Sequence, residues 1–203
     1  MLHKTYGFGT SEFRERMFLA RALDAKGMTA AARAELNAAR ALAGRLTLGP
    51  EWLTALGRVE ARAGRVREAR QMLALAEKAS GNTLTDSSVN RNLQQDDVQI
   101  MGLKGEIARA DGKFTEAITL LQAVGNGPGH YAIYSLASAL QGAGRLEGAA
   151  REYQRLLDRR PLGDEAQEDW LAAHVRLGEI FERLNRPPLP GSNMRSCSRS
   201  GGR

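Results

Sequence analysis

His3, His130 and His174 are the only imidazoles in the 203-residue chain, and Cys197 is its only thiol. A zinc site gathers three or four such ligands, two of them usually spaced to share a helix face or a turn. The chain has no His-x-x-x-His or Glu-x-x-His spacing. His130 stands in a Gly/Pro-rich stretch and His174 on an apolar stripe, where a half-buried packing role is expected. The adjacent Asp96 and Asp97 lack the alternating oxygen ligands and the glycine of a calcium loop, so they read as a solvated helix pair. Two glycine-rich stretches, 7–9 and 125–129, have the composition of phosphate cradles. Neither has the strand, helix and third glycine of a dinucleotide fold, and Gly112-Lys113 is followed by Phe114 where a P-loop requires Ser or Thr. The second stretch reads as a turn between helix hairpins. No serine or cysteine stands in a recognisable nucleophile pattern with a histidine and an acid. No catalytic residue, no cofactor and no metal is therefore expected, and the chain reads as a binding protein without enzyme activity.

Composition narrows the partner. Lysine and arginine number 29 against 23 acids, for a net charge of +6. Four of those arginines, and no acid, lie in residues 186–203, so the rest of the chain is close to balanced. Aromatics make up 5% of the residues, and Trp52 and Trp170 fall at packing positions. That leaves few platforms for stacking bases, and nucleic acid is disfavoured as a partner. The longest uncharged apolar stretches, such as 132–140, are far shorter than the ~20 residues needed to cross a bilayer. The first dozen residues carry no apolar leader, and one cysteine cannot form an internal disulfide, so a cytoplasmic location is expected.

What must position any binding residues is a set of helix pairs. Four glycines are each followed five residues later by an alanine: Gly27 and Ala32, Gly64 and Ala69, Gly112 and Ala117, Gly144 and Ala149. On either side, apolar residues recur at steps of three and four, the period of a helix with one buried face. Before Gly64 these are Trp52, Leu53, Leu56 and Val59; after it, Val66, Ala69, Met72, Leu73 and Ala76. Ile133, Leu136, Ala137 and Leu140 precede Gly144, with Leu146, Ala149, Tyr153 and Leu156 after it and Pro161 as a stop. A glycine between two such runs permits the left-handed turn that folds one helix back on the other. Gly57, Gly105, Ala137, Ala69, Ala117 and Ala149 supply small residues where the helices must approach closely.

This order resembles the tetratricopeptide repeat family, in which a large residue, a leucine and a small residue of the first helix are followed by alanine, an aromatic or leucine, and proline in the second. Leu53, Leu56, Gly57, Gly64, Ala69, Leu73 and Ala76 match it. So do Ile133, Leu136, Ala137, Leu140, Gly144, Ala149, Tyr153 and Pro161, while Leu19, Ala20, Leu23, Gly27, Ala32 and Leu36 form a weaker first unit. The marker glycines lie 37, 48 and 32 residues apart, against about 34 for the family, so the array is degenerate. Lys104 stands where the family places leucine, with Leu103 beside it. The expected architecture is all-α: a right-handed α-solenoid of about four repeats over residues 13–184. A polar insertion is expected at about 80–90, with Asp86 or Ser87 capping the next helix, and residues 1–12 and 185–203 are read as an extension and a Pro/Gly/Ser/Arg-rich tail. The last helix, about 165–184, is either a cap with a polar outer face or the first half of a fifth repeat.

The resemblance implies a protein–protein interaction scaffold that holds a peptide or a partner helix in a concave groove lined by the first helices. By the family's register the groove positions are Met17, Arg21 and Asp24; Thr54, Arg58 and Ala61; Gly102, Glu106 and Arg109; and Tyr134, Ser138 and Gln141. The candidate binding residues among these are Arg21, Asp24, Arg58, Glu106, Arg109, Tyr134 and Gln141, the arginines being suited to bidentate pairing with carboxylates. Family members that clamp a peptide's terminal carboxylate use lysine and asparagine in the groove. Here Met17, Thr54, Gly102, Tyr134 and Val175 hold the lysine positions, so that clamp is not expected, and a charged or amphipathic protein segment is. Two further readings stay open: a regulatory or sensory fragment of a larger bacterial signalling protein, and a nucleic-acid-associated helical array. Pairing of exposed ends into a homo-oligomer is compatible with all three.

Overall fold

A computed structural model describes residues 6–82, 90–124, 130–159 and 167–185. These form α1 (Tyr6–Ala25), α2 (Thr29–Ala43), α3 (Pro50–Arg62), α4 (Val66–Asn82), α5 (Asn90–Ala110), α6 (Phe114–Val124), α7 (His130–Gly142), α8 (Leu146–Leu157) and α9 (Gln167–Arg183). Among the described residues there is no strand. None of the helices is long and apolar enough to cross a membrane. α1 begins inside the stretch read as an N-terminal extension, so the helical body starts at Tyr6 instead of 13. The greater part of the insertion, both candidate caps of α5 and all but Asn185 of the tail lie outside the described residues.

Each marker glycine builds the same joint. Gly27, Gly64, Gly112 and Gly144 have φ of 75°, 74°, 75° and 74°, where a side chain would be strained. At each, the glycine N–H bonds back three residues and the next N–H bonds back five, as in Gly64 to Ala61 at 3.1 Å and Arg65 to Glu60 at 2.8 Å. This pairing satisfies carbonyls left open at a helix C-terminus and turns the chain back on itself. Thus α1–α2, α3–α4, α5–α6 and α7–α8 are antiparallel hairpins, and α9 packs on α8. Successive hairpins stack through their first helices, chiefly α3 on α5, and through α6 on α7. The chain is an all-α helical-repeat solenoid.

Small residues set the spacing. A Cβ added to Gly57 would lie 2.7 Å from Leu103 Cδ2, and one at Gly105 would lie 2.7 Å from Leu121 Cγ. α3 therefore rides directly on α5, and α5 on α6. Leu103 is fully buried while Lys104 faces outward, its Nζ 2.7 Å from Glu77 Oε1 on α4. The helix thus turns Leu103 into the core and leaves the lysine on the surface. One apolar cluster joins Phe13, Leu36, Leu53 and Leu56 across α1–α3; another joins Leu121, Ile133, Tyr153, Leu156 and Ile180 across α6–α9. Leu103 and Ile107 fill the space between them with Ala61 and Ala69. The outer face of α9, expected to be polar, carries exposed Leu171 and Val175.

Candidate functional site

The first helices enclose a groove with a cavity of about 880 Å³. It lies against the C-terminal halves of α1, α3, α5 and α7, with α9 as the far wall. Five arginines border it, Arg21, Arg62, Arg109, Arg176 and Arg183, against three carboxylates, Asp24, Glu168 and Asp169. Tyr134, Ser138 and Gln141 of α7 complete one side.

The centre of the groove is Arg62, the last residue of α3. Its Nε bonds to Glu106 Oε1 at 3.0 Å, and its two terminal nitrogens take both oxygens of Asp169 at 2.7 and 3.3 Å. One of them also reaches Ser135 Oγ at 3.3 Å, and the guanidinium carbon lies 5.2 Å from the centre of the Tyr134 ring. A planar guanidinium with five donors suits this combination of bidentate pairing and ring contact, whereas an ammonium would not. Glu106 is fully buried beneath it, taking a further bond from Arg109 Nε at 2.6 Å and one from the Ser135 hydroxyl. Burial opposes the charge on Glu106, but attraction from Arg62 and Arg109, with the bonds from Ser135 and Arg109, lowers its pKa to about 2. Burial likewise works against the Arg62 charge, yet Asp169 and Glu106 hold it above the ordinary arginine range.

The aromatic side of the groove is fixed by packing. Tyr134 meets the buried Tyr153 edge-on at 5.7 Å, and the Tyr153 hydroxyl donates to Gln141 Oε1 at 3.0 Å. Burial pushes the Tyr153 phenol up. Arg176 is held above its usual range by its bond to Glu179, 2.9 Å away, against burial and with help from Tyr134.

Of the expected groove residues, Arg21, Asp24, Ala61, Arg109, Tyr134, Ser138 and Gln141 border the cavity. Arg58 does not, and Glu106 lies under its floor instead of in its lining. Met17 is a core residue, and Thr54 is buried, donating to Gln99 at 3.0 Å. The reason is axial position. The cavity sits one turn further along α3, so Arg62, four residues beyond Arg58 on the same stripe, enters it. Arg62, Ser135 and Asp169 are the residues sequence reasoning missed. The recurrence of arginine at 58 and 62 was the available signal for the first.

His174 and Asp96 lie outside the cavity lining. His174 is half-buried with its ring 4.3 Å from that of Trp170, edge to face. Asp96, read as solvated, is buried near the start of α5; burial first, then Glu51 and Asp97, raises its pKa. Among the described residues no three His, Cys, Asp or Glu side chains converge as metal ligands would. His3, Cys197 and the 125–129 stretch lie outside the described residues.

Residues 134–189, from α7 to beyond the end of α9, match the family model described as Tetratricopeptide repeat. Over that segment the chain is similar to the tetratricopeptide repeat family. The matched segment contains Tyr134, Ser135, Gln141 and Asp169, so one side of the groove belongs to the recognised tetratricopeptide region. No curated protein matches the chain.

Proposed function

We propose that this protein is a non-enzymatic scaffold that holds a peptide or partner helix in the groove walled by α1, α3, α5, α7 and α9. Tetratricopeptide repeats generally mediate protein–protein interaction. The observation that carries the groove reading is the cavity of about 880 Å³, bordered by Arg21, Asp24, Arg109, Tyr134 and Gln141 from three separate first helices. Such a surface combines an aromatic face with fixed donors and acceptors, the mixture that anchors a protein segment. Stacked repeats supply the rigid backing at little cost in ordering entropy. The proposed action is recognition alone, with no covalent step.

Selection from a random-peptide display library tests it. Wild-type protein should enrich peptides whose binding falls at least tenfold on Tyr134→Ala and is unchanged on Arg151→Ala, an exposed residue of α8. Peptides equally retained by both variants would place recognition elsewhere.

A further inference from the structure

The groove is crossed by side chains from the chain's own last helix. Asp169, in the first turn of α9, grips Arg62 of α3 through both carboxylate oxygens, 107 residues away in sequence. Its neighbour Glu168 sets Oε2 3.0 Å from Arg21 Nε on α1. The two contacts differ in depth. Asp169 is buried at 6% exposure, whereas the Glu168 side chain is 46% exposed, so the first is the firm hold and the second a weak, salt-sensitive one.

These are two adjacent carboxylates seated on two groove arginines. We propose that Glu168 and Asp169 are an internal occupant of the groove, holding the places taken by an acidic segment of a partner protein, which docks by displacing them. The proposal rests on the groove reading above and adds to it the ligand's chemistry and a closed resting state. Charge favours this occupant: without the Glu168–Asp169 pair the charged residues of the lining are five arginines and Asp24, and the carboxylates just outside it, Glu106 with Arg62 and Arg109 and Glu179 with Arg176, leave the positive charge in excess. Exchange is also nearly like for like. A partner carboxylate restores the bidentate pairing to the terminal nitrogens of Arg62 beside Tyr134, while a neutral segment would leave those nitrogens without a charged acceptor and Arg62 with Glu106 alone. The displaced carboxylates keep a favourable place, because the first turn of a helix stabilises negative charge. α9 itself need not leave, since Ala173, Leu177 and Ile180 anchor it in the core shared with α7 and α8. Only the turn bearing the two acids has to yield.

The test compares wild type, Glu168→Gln/Asp169→Asn, and a charge-matched control, Glu116→Gln/Glu147→Gln, which removes two exposed acids from α6 and α8. The probe is a fluorescein-labelled peptide of alternating glutamate and aspartate, read by anisotropy at ~0.15 M salt, with a glutamine/asparagine peptide as blank. The occupant variant should bind the acidic probe at least tenfold more tightly than wild type, adding Arg21→Gln should remove the gain, and the control should show no such gain. Equal affinities for wild type and occupant variant, or an equal gain in the control, overturn the proposal. A second readout keeps the two readings apart. With spin labels at Lys26→Cys and Leu171→Cys, the latter an exposed residue directly after the turn that carries the two acids, in a Cys197→Ser background, the occupant variant should show a longer or broader distance distribution than wild type. An unchanged distribution overturns the closed state even where the display-selected peptides still depend on Tyr134; loss of that dependence alone strikes the groove reading instead.

Discussion

Two glutamates on consecutive first helices, Glu60 on α3 and Glu106 on α5, are both fully buried and both flanked by two arginines, yet they titrate in opposite directions. Glu106 receives aligned hydrogen bonds from Arg62, Arg109 and Ser135, and these lower its pKa to about 2 against the penalty of burial. Glu60 has Arg40 at 3.3 Å and Arg65 at 3.0 Å, but neither of its oxygens accepts a well-formed hydrogen bond from the described residues. Burial then dominates, Arg65 and Arg40 offset it only in part, and Glu68 adds to the upward shift. Nearby charge alone does not offset the burial of a carboxylate here; donors aimed at its lone pairs do.

The largest consequence is at Glu106. Glu106→Gln takes from Arg109 its carboxylate and leaves Arg62 with Asp169 alone, and should cost about 4 kcal/mol in urea unfolding at pH 7; a loss under 1 kcal/mol would erase the distinction. Next in size is the acid response. A folded pKa of about 2 lies below the unfolded value of about 4.3, so the stability Glu106 contributes is present above the unfolded value and lost as pH falls towards 2. Wild type should lose about 3 kcal/mol from this group across that window, and the Glu106→Gln curve should be flatter there. Ser135→Ala sharpens the comparison by removing one donor: stability should fall by about 2 kcal/mol, and the Glu106 pKa, followed by carbon-detected NMR, should rise. The smallest effect belongs to Glu60→Gln, expected within about 1 kcal/mol of wild type at pH 7. A raised pKa means that Glu60 contributes its stability while protonated and loses it as pH rises through the folded value. The two glutamine variants should therefore diverge from wild type in opposite pH directions.

The hairpins were legible because each is fixed by residues close in sequence. Gly64 needs only its neighbours to adopt φ of 74°, and Leu53, Leu56 and Ala69 need only helical period to face inward. The groove was legible in angle but not in height. Period assigns Arg58 and Arg62 to one stripe, but the tilt of α3 against α5 decides which of them reaches the cavity, and that tilt depends on contacts such as Gly57 with Leu103. Asp169 was beyond reach for a different reason. An acid in the first turn of a helix has a sufficient local explanation in the helix dipole. Its pairing with Arg62 exists only because the curvature of the whole stack brings α9 opposite α3.

Gly57 can be regarded as a fulcrum. Its missing side chain leaves Leu103 room to seat α5 against α3, and the elements from α6 to α9 follow from how α5 sits there and against α4. A methyl added there would be a shim, small at the hinge and magnified along the lever towards the far wall. The fit of Asp169 to Arg62 thereby depends on a residue that touches neither of them.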